Sequence, residues 1–178
     1  MNPHTHRLTQ SLSPTPADLF EFGVSRVTDS LFFSGALGSK AYRRLNALGI
    51  TVFVNLQAER QEIFKNVHVD GYLWVPVPDH SAPSLTQLGL VVGFLSEVVQ
   101  HKRKCLVSCR MGVGRSALAC AAYLVAHHGI SVAEATSILQ EIRPVVRLSE
   151  SQQARLTEFA RTVEPASSAA TAASPPQV

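Results

Sequence analysis

The chain is poor in cysteine: its 178 residues hold three, Cys105, Cys109 and Cys120. So few thiols exclude a disulfide scaffold. Cys105 and Cys109 stand four residues apart on an extended segment, roughly 13 Å, beyond the reach of a bridge. Cys120 falls on a helical stretch, where the expected role is that of a small buried hydrophobe. Cysteines and histidines do not recur at zinc spacing, so no metal and no cofactor is expected. The neighbours His127 and His128 do not share a helix face, and His4 and His6 read as part of a solvated tail.

Long hydrophobic runs are missing too. The longest, Ala117 to Ala126, is half of the roughly 20 residues a membrane-spanning helix requires. The opening residues Met1 to His6 carry no apolar signal-peptide core. These absences predict a cytoplasmic protein with no membrane contact. Charge is sparse as well, at 16% of residues, and Lys and Arg outnumber Asp and Glu by 16 to 13, a net +3. That mild excess suits an anionic substrate but falls far short of a nucleic-acid-binding surface. No nucleic-acid partner is expected.

What is present is a 46% hydrophobic composition, enough for one domain with a full core; a monomer is expected. Residues 1–20, rich in Ser, Thr, Pro, Asn and His, predict a flexible tail, and residues 164–178 a disordered Ala/Ser/Pro tail. The domain between them covers 21–163. Two short extended pieces, Ser25–Val27 and Leu31–Ser34, flank the turn Thr28-Asp29-Ser30. A helix follows within Gly35–Ile50, with Tyr42, Leu45 and Leu48 on one face and Arg43 and Arg44 on a solvated one. Thr51–Leu56 is a continuous apolar strand, as in a parallel sheet. Polar Gln57–Lys65 is expected to form a short helix. Gly71–Val75 is a strand ended by Pro76 and Pro78, and Val77–Pro83 is a loop.

Three capping boxes then start helices: Ser84-x-x-Gln87 to about Gln100, Ser131-x-x-Glu134 to just before Pro144, and Ser149-x-x-Gln152 to about Val163. Lys102-Arg103-Lys104 reads as a solvated turn at the start of the strand Cys105–Val107. Gly129 suits a left-handed helix end after His127-His128. Alternating strands and helices predict an α/β fold with a largely parallel sheet.

The most informative stretch is Cys109-Arg110-Met111-Gly112-Val113-Gly114-Arg115-Ser116. It leads from the carboxyl end of a strand into a helix N-terminus. Such a loop is an anion cradle, because successive N–H groups converge and the helix dipole adds partial positive charge. Gly112 and Gly114 permit backbone turns closed to other residues, and the surroundings favour a thiolate at Cys109. Arg115 can return across the loop as a planar fork for two phosphate oxygens. Ser116 can hydrogen-bond the sulfur.

This loop resembles the Cys-x5-Arg signature of the protein tyrosine phosphatase superfamily, and most of all its small atypical dual-specificity members of compact prokaryotic or archaeal type. Val75 to Ser84, carrying Asp79, resembles their general-acid loop, and Arg143-Pro144 with Gln152 resembles a later region. The likeness runs from about Val27 to Phe159. It implies a three-layer phosphatase sandwich and metal-independent hydrolysis of phosphorylated protein or peptide through a phosphocysteine. In that scheme Cys109 is the nucleophile, Arg115 and the loop Arg110–Gly114 bind the phosphoryl group, Asp79 is the general acid and Ser116 assists the sulfur. Asp79 lies 109 − 79 = 30 residues before the nucleophile, close to the family's pattern.

One departure stands out. The family usually has histidine just before the nucleophile, where this chain has Ser108. Slow turnover is therefore an expectation, and a phosphate-binding module with little activity is the alternative; the presence of Asp79 speaks against it, because binding alone needs no acid. A rhodanese-like sulfurtransferase has no use for Asp79 either. Low-molecular-weight phosphatases and arsenate reductases place their loop near the N-terminus. Arg110 raises non-protein substrates, phosphoinositides or RNA 5′ ends, as a further alternative.

Overall fold

A computed structural model of the chain describes residue 19 and residues 21–163. The two tails expected at 1–20 and 164–178 lie outside the described residues, apart from Leu19, which is buried in the core. Five strands form one sheet: β1 (Val24–Arg26), β2 (Leu31–Ser34), β3 (Ile50–Gln57), β4 (Gly71–Val77) and β5 (Lys104–Ser108). Their spatial order is β1-β2-β5-β3-β4. Only β1 pairs antiparallel with its neighbour; the other pairings are parallel. Five helices connect and cover them: α1 (Ser39–Ala47), α2 (Leu85–Gln100), α3 (Arg115–His128), α4 (Val132–Ile142) and α5 (Glu150–Val163).

The layering follows from the alternation of side chains along each strand. Leu31 and Phe33 of β2, Val52, Val54 and Leu56 of β3, and Cys105 and Val107 of β5 join one cluster with α2 to α5. Their sequence neighbours Phe32, Phe53 and Leu106 face the opposite cluster, with Ala41, Tyr42 and Leu45 of α1. Both faces are covered, so β3 is buried at all of its residues. The expected α/β sandwich is what forms.

Helix α3 is the axis of the larger layer. Every residue from Arg115 to Val125 is buried, which accounts for its unbroken apolar run. A helix apolar on all sides has to be surrounded, and α2, α4 and α5 each pack on it. Burying one such leucine, Leu118 or Leu124, contributes roughly 1.5–3 kcal/mol. The three capping boxes form as read, at Ser84, Ser131 and Ser149. Gly129 closes α3 at φ 63°. No helix of the described residues is long and apolar enough to cross a membrane.

Three local expectations are corrected. Gln57–Lys65 is not a helix: Gln57 ends β3 and 58–65 is an irregular loop. Its backbone is held by the buried Asn55, whose side chain donates to Arg60 O at 2.7 Å and accepts from Gln57 N at 2.9 Å. The Tyr72 hydroxyl accepts from Glu62 N at 3.3 Å. Side-chain bonds to the backbone thus replace the helical pattern. Secondly, β4 runs through Pro76 to Val77, because an edge strand tolerates a residue with no N–H to donate. Thirdly, the basic turn before β5 is anchored as well as solvated: Arg103 pairs with Asp70 and Lys104 Nζ donates to Leu48 O at 2.9 Å.

Candidate active site

The carboxyl ends of β2, β3, β4 and β5 deliver four segments to one place, where an open α/β sheet holds its ligands. From β5 the chain passes Cys109, buried with 2% exposure, and turns sharply. Gly112 makes the turn possible: its φ is 70°, and a Cβ there would lie 2.5 Å from Gly35 N and 2.6 Å from Ser34 C. Only glycine satisfies both the left-handed backbone and the contact.

The loop turns its carbonyls outward. Arg110 O accepts from Ala36 N at 3.0 Å, Met111 O from Arg143 Nη2 at 3.3 Å, and Val113 O from Arg147 N at 3.0 Å. Across a trans peptide the C=O and the next N–H point opposite ways, so the N–H groups of Met111, Gly112 and Gly114 face inward. Gly112 N donates to Cys109 Sγ at 3.2 Å, and Ser116 Oγ lies 3.3 Å from the same sulfur. Gly114 caps α3 without a side-chain hydrogen bond, which leaves first-turn donors for an anion.

Arg115, 2% exposed, reaches back over this cradle into a nest of acceptors. Nη1 donates to Val77 O at 2.6 Å and to Glu59 Oε2 at 2.9 Å. Nη2 donates to Glu59 Oε1 at 3.0 Å and to Asp79 Oδ1 at 2.8 Å. Asp79 Oδ2 in turn accepts from Arg110 Nη1 at 3.1 Å. Burial by itself would raise the Asp79 carboxyl, but the Arg115 charge, the His80 N–H and the Arg110 hydrogen bond outweigh it and hold Asp79 below its ordinary range. The Arg115 hydrogen bond likewise lowers Glu59 against a smaller opposing effect of burial. Burial works against the charge of Arg115, yet Glu59, Cys109 and Asp79 together raise it.

All the residues singled out in the sequence therefore converge. Cys109, Arg115 and Asp79 meet at the pocket, the buried Ser116 lies against the Cys109 sulfur, and Arg110, Met111, Gly112, Val113 and Gly114 form the loop around it. Three features were not read. Glu59, which takes both Nη groups of Arg115, sits in the segment expected to be helical; an acidic residue just past the carboxyl end of a buried strand was its available signal. Gln152, read as the partner of Ser149 in a capping box and by resemblance, was not read as a tie between three segments: Nε2 donates to Ser81 O at 3.0 Å, Oε1 accepts from Ser149 N at 3.1 Å, and a Cβ on Gly114 would touch it at 2.9 Å. His80 adopts φ 61°, a strained conformation for a non-glycine residue, placed beside the carboxylate it follows. Ser108 points away from the cradle and donates to Val54 O at 3.3 Å. Among the described residues no group of His, Cys, Asp and Glu could hold a metal ion.

The family profile for the dual specificity phosphatase catalytic domain matches residues 31–162. The chain belongs to the dual-specificity phosphatases. It is 31% identical to human (Homo sapiens) dual specificity phosphatase 28 over 153 residues, 85% of this chain and 83% of that protein. With the mouse (Mus musculus) dual specificity phosphatase 28 it shares 33% over 141 residues, 79% of this chain and 85% of that one. The crystal structure of human DUSP28 superposes with a TM-score of 0.71, at 29% identity, covering 86% of this chain and 99% of that one. This dual-specificity phosphatase is accordingly a cysteine-dependent phosphomonoester hydrolase of the protein-tyrosine-phosphatase type. Its substrates are phosphorylated, metal independence fits the family, and the binding-module and non-protein alternatives are not favoured over this activity.

Proposed function

We propose that Cys109, Arg115 and Asp79 carry out the hydrolysis, with Ser116 and the loop amides in support. The Cys109 thiolate attacks phosphorus in line; an S–P bond forms as the bond to the leaving oxygen breaks, giving a phosphocysteine. Arg115 and the inward N–H groups of Met111, Gly112 and Gly114 neutralise the equatorial oxygens. Asp79 gives its proton to the leaving oxygen and then takes one from the water that cleaves the S–P bond. The Ser116 hydroxyl stabilises the sulfur as it departs.

The observation that carries this reading is the buried Cys109 sulfur, bonded by Gly112 N at 3.2 Å and beside Ser116 Oγ at 3.3 Å, with Arg115 and Asp79 joined at 2.8 Å at the same pocket. A structural thiol needs none of these partners. Phosphorylated protein or peptide is the partner in this reading. A cytoplasmic monomer free of nucleic acid completes it, in keeping with a net charge of only +3. The test is turnover of an aryl phosphate with chelator present. Wild type should remain active, and Cys109→Ser should lose turnover while still binding tungstate. Activity lost to chelator, or kept by Cys109→Ser, would overturn the assignment.

A further inference from the structure

The cations around the pocket are not equivalent. Arg115 is held by Glu59 and Asp79, and Arg110 by Asp79. Arg143 spends Nη1 on Gly23 O at 2.6 Å and Nη2 on Met111 O. His80 lies 3.8 Å from Asp79 Oδ2. Arg147 differs from all of these. It lines the pocket together with Cys109, Arg115 and Ser149, and among the described residues its guanidinium makes no hydrogen bond or ion pair.

Its position is nonetheless built. Arg147 N donates to Val113 O at 3.0 Å, which fastens the backbone to the phosphate loop itself. The residue before it, Val146, is fully buried and anchors the segment in the core. Two residues later Ser149 opens α5. An unpaired guanidinium is thus carried on a fixed stretch of backbone in the wall of a site that takes one phosphoryl group on Arg115. Met111 lines the same pocket and is 61% exposed, an apolar edge against which a neighbouring residue can lie.

We infer that Arg147 is a second-anion subsite, selecting phosphopeptides with an acidic side chain next to the scissile phosphoresidue. The inference rests on the proposed function, whose phosphoryl group it takes as fixed at Cys109. A carboxylate matches the planar fork of one guanidinium. A polyphosphoinositide headgroup calls for several free cations, and of the arginines lining this pocket one is held by carboxylates and one is free.

The experiment compares two phosphotyrosine peptides that differ only by Glu or Ala beside the phosphotyrosine. Wild type, Arg147→Gln and Arg147→Glu are assayed, with an aryl phosphate alongside. Wild type should favour the acidic peptide by roughly two- to fivefold, the range of a partly exposed ion pair. The preference should lie mainly in KM and fade as salt is raised. Arg147→Gln should erase it and Arg147→Glu should invert it. An equal ratio of the two peptides in wild type and Arg147→Glu overturns the subsite while leaving the hydrolysis intact. So does an Arg147 dependence seen with phosphoinositide vesicles and not with the peptides. Failure of wild type to hydrolyse peptides and aryl phosphate alike overturns the proposed function, and the subsite with it.

Discussion

Asp79 Oδ1 accepts a hydrogen bond from Arg115 Nη2 at 2.8 Å, so the loop after β4 and the start of α3 are joined through two opposite charges. The other Nη2 hydrogen goes to Glu59 Oε1. A phosphate oxygen that takes its place on Arg115 has to displace a carboxylate. When Asp79 yields, it leaves the cation that keeps it ionised and can hold the proton that a general acid requires. In the proposed mechanism, substrate binding and arming of the acid are then one exchange.

Asp79→Asn should reduce the rate by on the order of 10²–10⁴ for poor leaving groups. Activated aryl esters, whose leaving oxygen needs little protonation, should lose much less. Asp79→Ala should also bind tungstate more tightly than wild type, since a competitor for Arg115 is gone. A leaving-group series and a tungstate titration check the two halves; equal losses across the series would make Asp79 a structural residue.

Arg110→Gln removes the cation that donates to Asp79 Oδ2 at 3.1 Å. Asp79 is held below its ordinary range in part by this bond, so its removal should let the carboxyl rise. In the proposed mechanism the active form is the protonated one, so activity should be lost as pH climbs through the Asp79 value. The basic limb of kcat/KM, which reports the free enzyme, should therefore move to higher pH in Arg110→Gln. A pH–rate profile of both proteins decides it, and an unmoved limb would show that Arg115 alone controls the acid.

Glu59→Gln keeps the shape of the Arg115 partner and removes its charge. Glu59 braces both Nη groups, so a loosened fork should lower kcat/KM by about 10- to 100-fold, the scale of a small misplacement in a site. Circular dichroism should stay native, because the side chain is 35% exposed. Steady-state kinetics with one aryl phosphate suffices.

The glycines of the phosphate loop should respond differently. Gly112→Ala places a Cβ against the backbone of Ser34 and Gly35 at a φ of 70°. It should lower stability by about 1–2 kcal/mol from the left-handed conformation alone, more with the clash, and abolish activity. Gly114→Ala meets only the end of the Gln152 side chain, which can move. It should remain folded, while losing the bond from Gln152 that steadies Ser81 in the acid loop. Thermal melts and turnover of the two variants separate these effects.

Much of this was legible in the chain because it is local. Capping boxes, the apolar periodicity and the strand–loop–helix around Cys109 are set by residues within a few positions of one another. The signature loop has its meaning in its own backbone, and Asp79 follows from its loop by resemblance. Glu59 was not legible. It is 56 residues from Arg115, and no periodic pattern marks a loop whose course is dictated by buried side chains such as Asn55 and Tyr72.

The sequence by itself thus determined the α/β class, the anion cradle and the cysteine proposed as nucleophile, since short-range sterics and helix-end electrostatics act along the chain. Tertiary structure alone decided which charges face one another. Parallel pairing brought the ends of β3, β4 and β5 together, and only there could Glu59 and Asp79 share Arg115 while Arg147 was left without a carboxylate. Coulomb forces depend on distance in space, and the fold, not the spacing in the chain, sets that distance.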